Sequence, residues 1–176
     1  MRRANDTLRT ACITVLGSGF MPFASGTWGS LVAVALWIPL WWFTPRGVLE
    51  LLTVAGILVA SVLSVRWGGW AIARFGRADP KPFVLDEFAG QWVALLALPC
   101  TAASDFWTWA YVVGGQFLLF RACDIIKPPP ARQAERLPAG WGVLLDDIFA
   151  GIYANAAGQL LWRLTPVAAA LGVHRQ

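Results

Sequence analysis

The sequence predicts an all-α, polytopic membrane helix bundle of about five spans, and three observations carry that expectation. Only 14% of the 176 residues are charged while 57% are apolar, and mean hydropathy is +0.58. A soluble domain carries about 25% charged residues to wet its surface. Long stretches hold no charge: residues 10–45, 88–104, 106–120 and 148–162 hold none, and 47–65 holds only Glu50. The eleven tryptophans add to this, because Trp is enriched where hydrocarbon meets headgroups.

Taken in order, the charged positions cut the chain into spans at about 29–45, 47–66, 87–103, 106–122 and 147–163. Before them, residues 10–20 read as a re-entrant or interfacial loop, and after them 165–173 reads as a short final segment. Several uncharged cores are short: fifteen helical residues rise about 22 Å against a hydrocarbon layer near 30 Å. Their ends must recruit polar flanks, or the bilayer must thin. The length suits a single domain over 1–176. Cys12, Cys100 and Cys123 show neither metal spacing nor a disulfide framework. Met1-Arg2-Arg3 is basic, but no small-residue cleavage site follows a short apolar core, so no cleavable signal is expected.

Positive residues set the orientation. With five spans, one side holds Arg2, Arg3 and Arg9, then Arg66, Arg74, Arg77 and Lys81, then Arg121, Lys127, Arg132 and Arg136, eleven of the fourteen. That side is expected to be cytoplasmic. Trp41, Trp42, Trp107, Trp109 and Trp162 then fall at outer helix ends, and Trp28, Trp67 and Trp70 at inner ends, as an interfacial belt would place them. The basic residues form no continuous stripe, so the net charge of +4 does not point to nucleic acid.

The same inner side collects acids: Asp79, Asp86, Glu87, Asp124, Glu135, Asp146 and Asp147. Two adjacent pairs open look-alike segments sixty residues apart, DEFAGQW at Asp86-Glu87 and DDIFAGIY at Asp146-Asp147. Each pair is expected on a first helical turn, followed by Ala-Gly steps that let helices approach closely. Helix capping explains one acid per helix but not two. Four carboxylates brought together repel unless a cation sits between them, and hard oxygen ligands without His or Cys suit Mg²⁺ or a similar ion.

In RACDIIKPPP, Arg121, Asp124 and Lys127 are spaced to share a helix face. A cation–anion–cation row beside a metal suits phosphate, with Asp124 on the metal and Arg121 and Lys127 on phosphate oxygens. Pro128–Pro130 should end the helix and begin a loop containing Gly140 and Gly142. The segment GSGFMPFASGTWGS, from Gly17 to Ser30, offers glycine N–H groups (Gly26 among them) and the hydroxyls of Thr27 and Ser30 to an anion. The single histidine, His174, lies near the C-terminus, no Cys-x₅-Arg loop occurs, and neither acidic pair has Asp-x-Asp spacing. Metal-assisted hydrolysis with water as nucleophile is what these absences leave.

Together, GSGFMPFASGTWGS, VLDEFAGQW, FRACDIIKPPP and GWGVLLDDIFAG, in this order from about Gly17 to Gly151, resemble the phosphatidylglycerophosphatase A family of bacterial inner-membrane lipid phosphatases. The resemblance implies Mg²⁺-dependent removal of the terminal phosphate from phosphatidylglycerophosphate, giving phosphatidylglycerol, with membrane phospholipid as the only implied partner. It implies an acidic centre of Asp86, Glu87, Asp124, Asp146 and Asp147, with Arg121 and Lys127 toward the phosphate and Thr27 and Ser30 lining the loop. Asp86 or Asp146 would accept the water's proton. The family usually has Pro-Gly-Thr where this chain has Ser25-Gly26-Thr27, which bears on loop rigidity more than on ligands. A transporter or channel would need acids deep within its spans. A CDP-alcohol phosphotransferase would need an Asp-Gly-x₂-Ala-Arg stretch, which is absent. The sequence leaves open the oligomeric state, the number of ions and the choice among phosphatidyl monoesters.

Overall fold

A computed structural model describes residues 2–77, 80–99, 106–138 and 140–164, with side chains described from residue 5. The described residues form helices and turns with no strand. The helices are α1 (Arg2–Ile13), α2 (Ser25–Phe43), α3 (Arg46–Phe75), α4 (Leu85–Ala94), α5 (Phe106–Ile126), α6 (Ala131–Ala134) and α7 (Gly140–Leu164), with a 3₁₀ turn at Ser18–Phe20. Three of them, α2, α3 and α5, are long and apolar enough to cross a membrane. Asp79, Cys100, His174 and the expected final segment 165–173 lie outside the described residues.

The expected N-terminal loop begins inside α1, which runs to Ile13 and is followed by a tight reversal. Val15 and Leu16 adopt left-handed φ values of 43° and 58°, unusual for side chains branched or bulky near the backbone. Thr14 holds the reversal: its hydroxyl donates to the carbonyl of Thr10 and accepts from the N–H of Gly17. Val84 N–H donates to Ile13 C=O at 2.9 Å, and a Cβ on Gly19 would lie 2.2 Å from the carbonyl oxygen of Pro82. The N-terminal segment is thereby fastened to the strand of chain that leads into α4.

The expected span 87–103 is not one helix. Helix α4 ends at Ala94 after ten residues, about 15 Å of rise. Its freed backbone groups are met by polar side chains from α7 and α3. Asn155 donates to the carbonyls of Ala94 and Leu96, Gln159 to those of Leu96 and Ala97, and Arg163 to that of Ala97. From α3, Arg46 donates to Leu98 C=O and Glu50 accepts from Ala97 N–H. Residues 155, 159 and 163 recur every four positions, so one stripe of α7 closes a helix end that an apolar surrounding would leave costly.

Helix α7 also departs from expectation. It begins at Gly140, so Gly140 and Gly142 belong to its first turn and not to a loop. A Cβ on Gly140 would lie 2.4 Å from Ser64 C=O, and one on Gly142 2.6 Å from Leu137 C=O. These glycines mark close backbone approach, which lets the helix start six residues before the acidic pair. Several tryptophans expected at the interface are core residues instead: Trp41, Trp109 and Trp162 are buried together with Trp37 and Trp92. Three of the core indoles find partners, on Ala33 C=O, the Thr53 hydroxyl and the Gln116 side-chain carbonyl. Trp42 and Trp107 remain exposed.

Candidate active site

Helices α4 and α7 bring the two look-alike acidic segments side by side. Gly90 and Gly151 sit where they touch: a Cβ on Gly90 would lie 2.5 Å from Asp147 C=O, and one on Gly151 2.3 Å from Gly90 C=O. The Ala-Gly steps therefore do what their spacing suggests, and the acids one turn before them face each other. Asp86, Glu87 and Asp147 each offer a carboxylate oxygen, all within 4.8 Å of one another. Asp86 and Asp147 are buried.

The pairs are not equivalent in their helices. Asp86 and Glu87 lie on the first turn of α4, as expected, but Asp146 and Asp147 are seven and eight residues into α7. Capping therefore cannot account for the second pair, since the helix N-terminus is two turns away. Asp86 Oδ1 accepts from Glu87 N–H and Asp146 Oδ1 from Asp147 N–H, the same local bond in both segments.

Helix α5 supplies the third side. Arg121 pairs with Asp124 at 2.6 Å one turn on, and the Asp124 charge acts on the neighbouring Glu87 and Asp147 carboxyls. Lys127 is placed otherwise than expected. It lies just beyond α5 with φ 50°, its N–H on Cys123 C=O, and its ammonium meets Asp146 at 2.7 Å and also Glu135. The expected row is thus two members long. Lys127 instead ties the end of α5 to α7. Glu135, which the sequence places on this side without assigning it a role, is the residue that completes that tie.

The Gly17–Ser30 segment enters through α2. A Cβ on Gly26 would lie 2.4 Å from Glu87 Oε1 and 3.2 Å from an Arg121 nitrogen. Ser30 donates to Gly26 C=O and sits 3.5 Å from Arg121 Nη1. Gly26 and Ser30 are therefore beside Glu87 and Arg121, and the half-buried Thr27 follows Gly26 on the first turn of α2. Ser25 is the first residue of α2, a position at which the proline usual in the family would remove no helical hydrogen bond.

The electrostatics are those of crowded, buried acids. Burial raises the Asp86 carboxyl well above its usual range, with the neighbouring Glu87 and Asp147 charges pushing the same way. Burial likewise raises Glu87 to about 7, with Asp124 adding to the effect against the opposing bond to Asp86. Asp146 is raised to about 6 by burial, although Lys127 works in the other direction. The Lys127 ammonium loses to burial but gains more from Asp146 and Glu135, so it is held above the ordinary lysine range.

Glu87 Oε2, Asp147 Oδ1 and Arg121 Nε are buried without a hydrogen-bond partner. Two unpaired carboxylate oxygens and one unpaired guanidinium N–H at one place are costly unless a cation and an anion complete them. Oxygen-only donors suit a hard divalent ion. The donor set therefore fits a metal with an anionic oxygen ligand beside it.

The sequence profile of phosphatidylglycerophosphatase A matches residues 11–162. A Bacteroides thetaiotaomicron protein provisionally named a phosphatidylinositol-3-phosphatase is 40% identical over 149 residues, covering 80% of this chain and 85% of that relative. Proteins named phosphatidylglycerophosphatase A from Escherichia coli and Haemophilus influenzae are each 36% identical. The first covers 77% of this chain and 73% of its own length, and the second 78% of both. No solved structure matches the chain.

Proposed function

The chain belongs to the phosphatidylglycerophosphatase A family, and on that premise we propose that it removes the terminal phosphate of phosphatidylglycerophosphate at a Mg²⁺ site formed by Asp86, Glu87 and Asp147, with Asp124 beside them. The observation that carries the metal assignment is the trio of carboxylates whose free oxygens, Glu87 Oε2 and Asp147 Oδ1, have no protein partner. The anionic-substrate assignment rests on Arg121, whose Nε is also unpaired at the same place.

Bound there, Mg²⁺ supplies Lewis acidity toward the phosphate and the attacking water. The chain's own groups do the rest. Arg121 receives charge on the equatorial phosphate oxygens, aided by Gly26, Thr27 and Ser30 on the first two turns of α2. Asp146 suits the role of proton acceptor better than Asp86. It stands outside the trio, its pKa of about 6 is near working pH, and Lys127 holds it as a carboxylate. Lys127 acts through Asp146 in this reading, and reaches phosphate only if it releases one of its acids. The basic residues on the carboxylate side support a site at the cytoplasmic face of a bacterial inner membrane.

The test is phosphate release by the detergent-purified protein from phosphatidylglycerophosphate with Mg²⁺ present. Release that EDTA stops is expected, and undiminished release in EDTA would sink the metal assignment. Phosphatidylinositol 3-phosphate belongs in the same assay, because the Bacteroides relative is named for that lipid. Faster release from it would move the substrate assignment and leave the chemistry in place.

The raised carboxyls give a pH prediction for the metal-free protein. Between about 4.5, where Glu87 titrates when unfolded, and about 7, the folded state binds more protons than the unfolded one. Stability should therefore fall as pH rises through that window, with Asp86 adding to the loss. Saturating Mg²⁺ should abolish the fall, so that metal-dependent stabilisation in thermal melts grows from pH 5 toward pH 8. Stabilisation by Mg²⁺ that is equal at both ends would contradict it.

A further inference from the structure

Gln91 is fully buried, and neither its side-chain oxygen nor its nitrogen has a partner. The other fully buried glutamine behaves differently. Gln116 donates to Ala154 C=O at 2.8 Å and accepts from Trp162 Nε1 at 3.1 Å, as a structural amide should. An apolar interior does not tolerate an idle amide cheaply.

Helix geometry sets where the Gln91 amide faces. Gly90 meets α7 and the Phe120 ring of α5, while Trp92 reaches Ala33 C=O on α2. Gln91 projects between those two directions, toward the seam of α2 and α5. Glu87, four residues earlier on the same face, reaches that seam at Gly26 and Arg121. Residue 91 thus sits about 6 Å beyond Glu87 along the helix axis, away from the helix end that carries the acids.

We propose that Gln91 is a substrate-specificity residue whose carboxamide binds a free hydroxyl on the alcohol that carries the scissile phosphate. The inference rests on the phosphatase reading above and deepens it. The idle amide offers a donor and an acceptor together, and a substrate hydroxyl can answer both at once. A phosphate oxygen or an ester carbonyl answers only the donor. Phosphatidylglycerophosphate carries such a hydroxyl on the carbon next to the phosphorylated one, close enough to reach one helical turn from the carboxylates. Phosphatidic acid has its phosphate directly on the diacylated glycerol and no free hydroxyl, so it leaves the amide idle. A site that pairs a substrate hydroxyl discriminates strongly against an analogue lacking it.

The test compares kcat/KM for the two lipids in mixed micelles with Mg²⁺, for the unmodified chain and for Gln91→Met, which keeps the side chain's length and removes its polar atoms. The unmodified chain should prefer phosphatidylglycerophosphate, and Gln91→Met should shrink that preference by about ten- to a hundredfold. Its melting temperature should hold or rise, because no bonded group is lost. An unchanged ratio, an equal loss on both lipids, or a lowered melting temperature would each overturn the proposal, the last by exposing a structural bond. Phosphate release from neither lipid by the unmodified chain would overturn the phosphatase reading and this role with it.

Discussion

Asp147→Asn should cut Mg²⁺-dependent phosphate release by at least about a hundredfold while leaving the metal-free protein as stable as before, or more so. The two effects separate because Asp147 belongs to a cluster of close acids that works against folding unless a cation sits between them. Its carboxylate lies with those of Asp86 and Glu87 within 4.8 Å, it is buried, and one oxygen has no partner. The amide keeps the side chain's shape and removes one negative charge, which relieves repulsion. It also removes a hard anionic ligand, which weakens the hold on Mg²⁺. Glu87→Gln should repeat the pattern, since it changes the same cluster from the other helix. The measurements are phosphate release against Mg²⁺ concentration and a melting curve in EDTA. Near-normal turnover in both variants would remove the carboxylates from the metal.

Much of this site was legible because its signals are local. Adjacent acids followed by Ala-Gly in two segments point to an acidic cluster and a close helix contact, and the structure joins those segments at Gly90 and Gly151 with Asp86, Glu87 and Asp147 grouped beside them. Arg121 with Asp124 was legible from a spacing of three. What was not legible depends on partners far apart in sequence. The end of α4 at Ala94 is set by Asn155, Gln159 and Arg163, some sixty residues away, and by Arg46 and Glu50, nearly fifty away on the other side. An uncharged run cannot reveal that its middle is a turn when the groups that satisfy the turn lie in other helices. Lys127 was misplaced for a related reason, because Glu135 and Asp146 compete for it only once α6 and α7 fold back. Glycine was ambiguous in itself: Gly140 and Gly142 read as loop, yet each permits a contact that a methyl group would block. Gln91 lies within DEFAGQW, but an idle amide is visible only when its surroundings are known.

The same closeness of α4 and α7 makes the second large effect one of backbone and not of charge. Alanine is a better helix former than glycine by about 0.5–1 kcal/mol, so Gly→Ala inside a helix should ordinarily stabilise. At Gly69 in α3, where nothing lies within 4 Å of the added methyl, that gain is expected. At Gly151 the methyl would lie 2.3 Å from the carbonyl oxygen of Gly90 and 3.0 Å from Val93, and at Gly90 2.5 Å from the carbonyl oxygen of Asp147. Backbone carbonyls in the middle of two packed helices cannot rotate aside, so the helices must part. Overpacking of this kind costs about 3 kcal/mol, which for a chain of this size lowers the melting temperature by about 6–12 °C. Parting the helices also draws Asp147 away from Asp86 and Glu87, so Mg²⁺ affinity should fall together with stability. Asp147→Asn loses metal without losing the fold, Gly151→Ala loses both, and Gly69→Ala loses neither. Melting curves and Mg²⁺ titrations on the three variants would separate the ligand from the scaffold that positions it. A Gly151→Ala protein as stable as the unmodified chain would mean that α4 and α7 do not touch backbone to backbone, and the carboxylate trio would lose its structural basis.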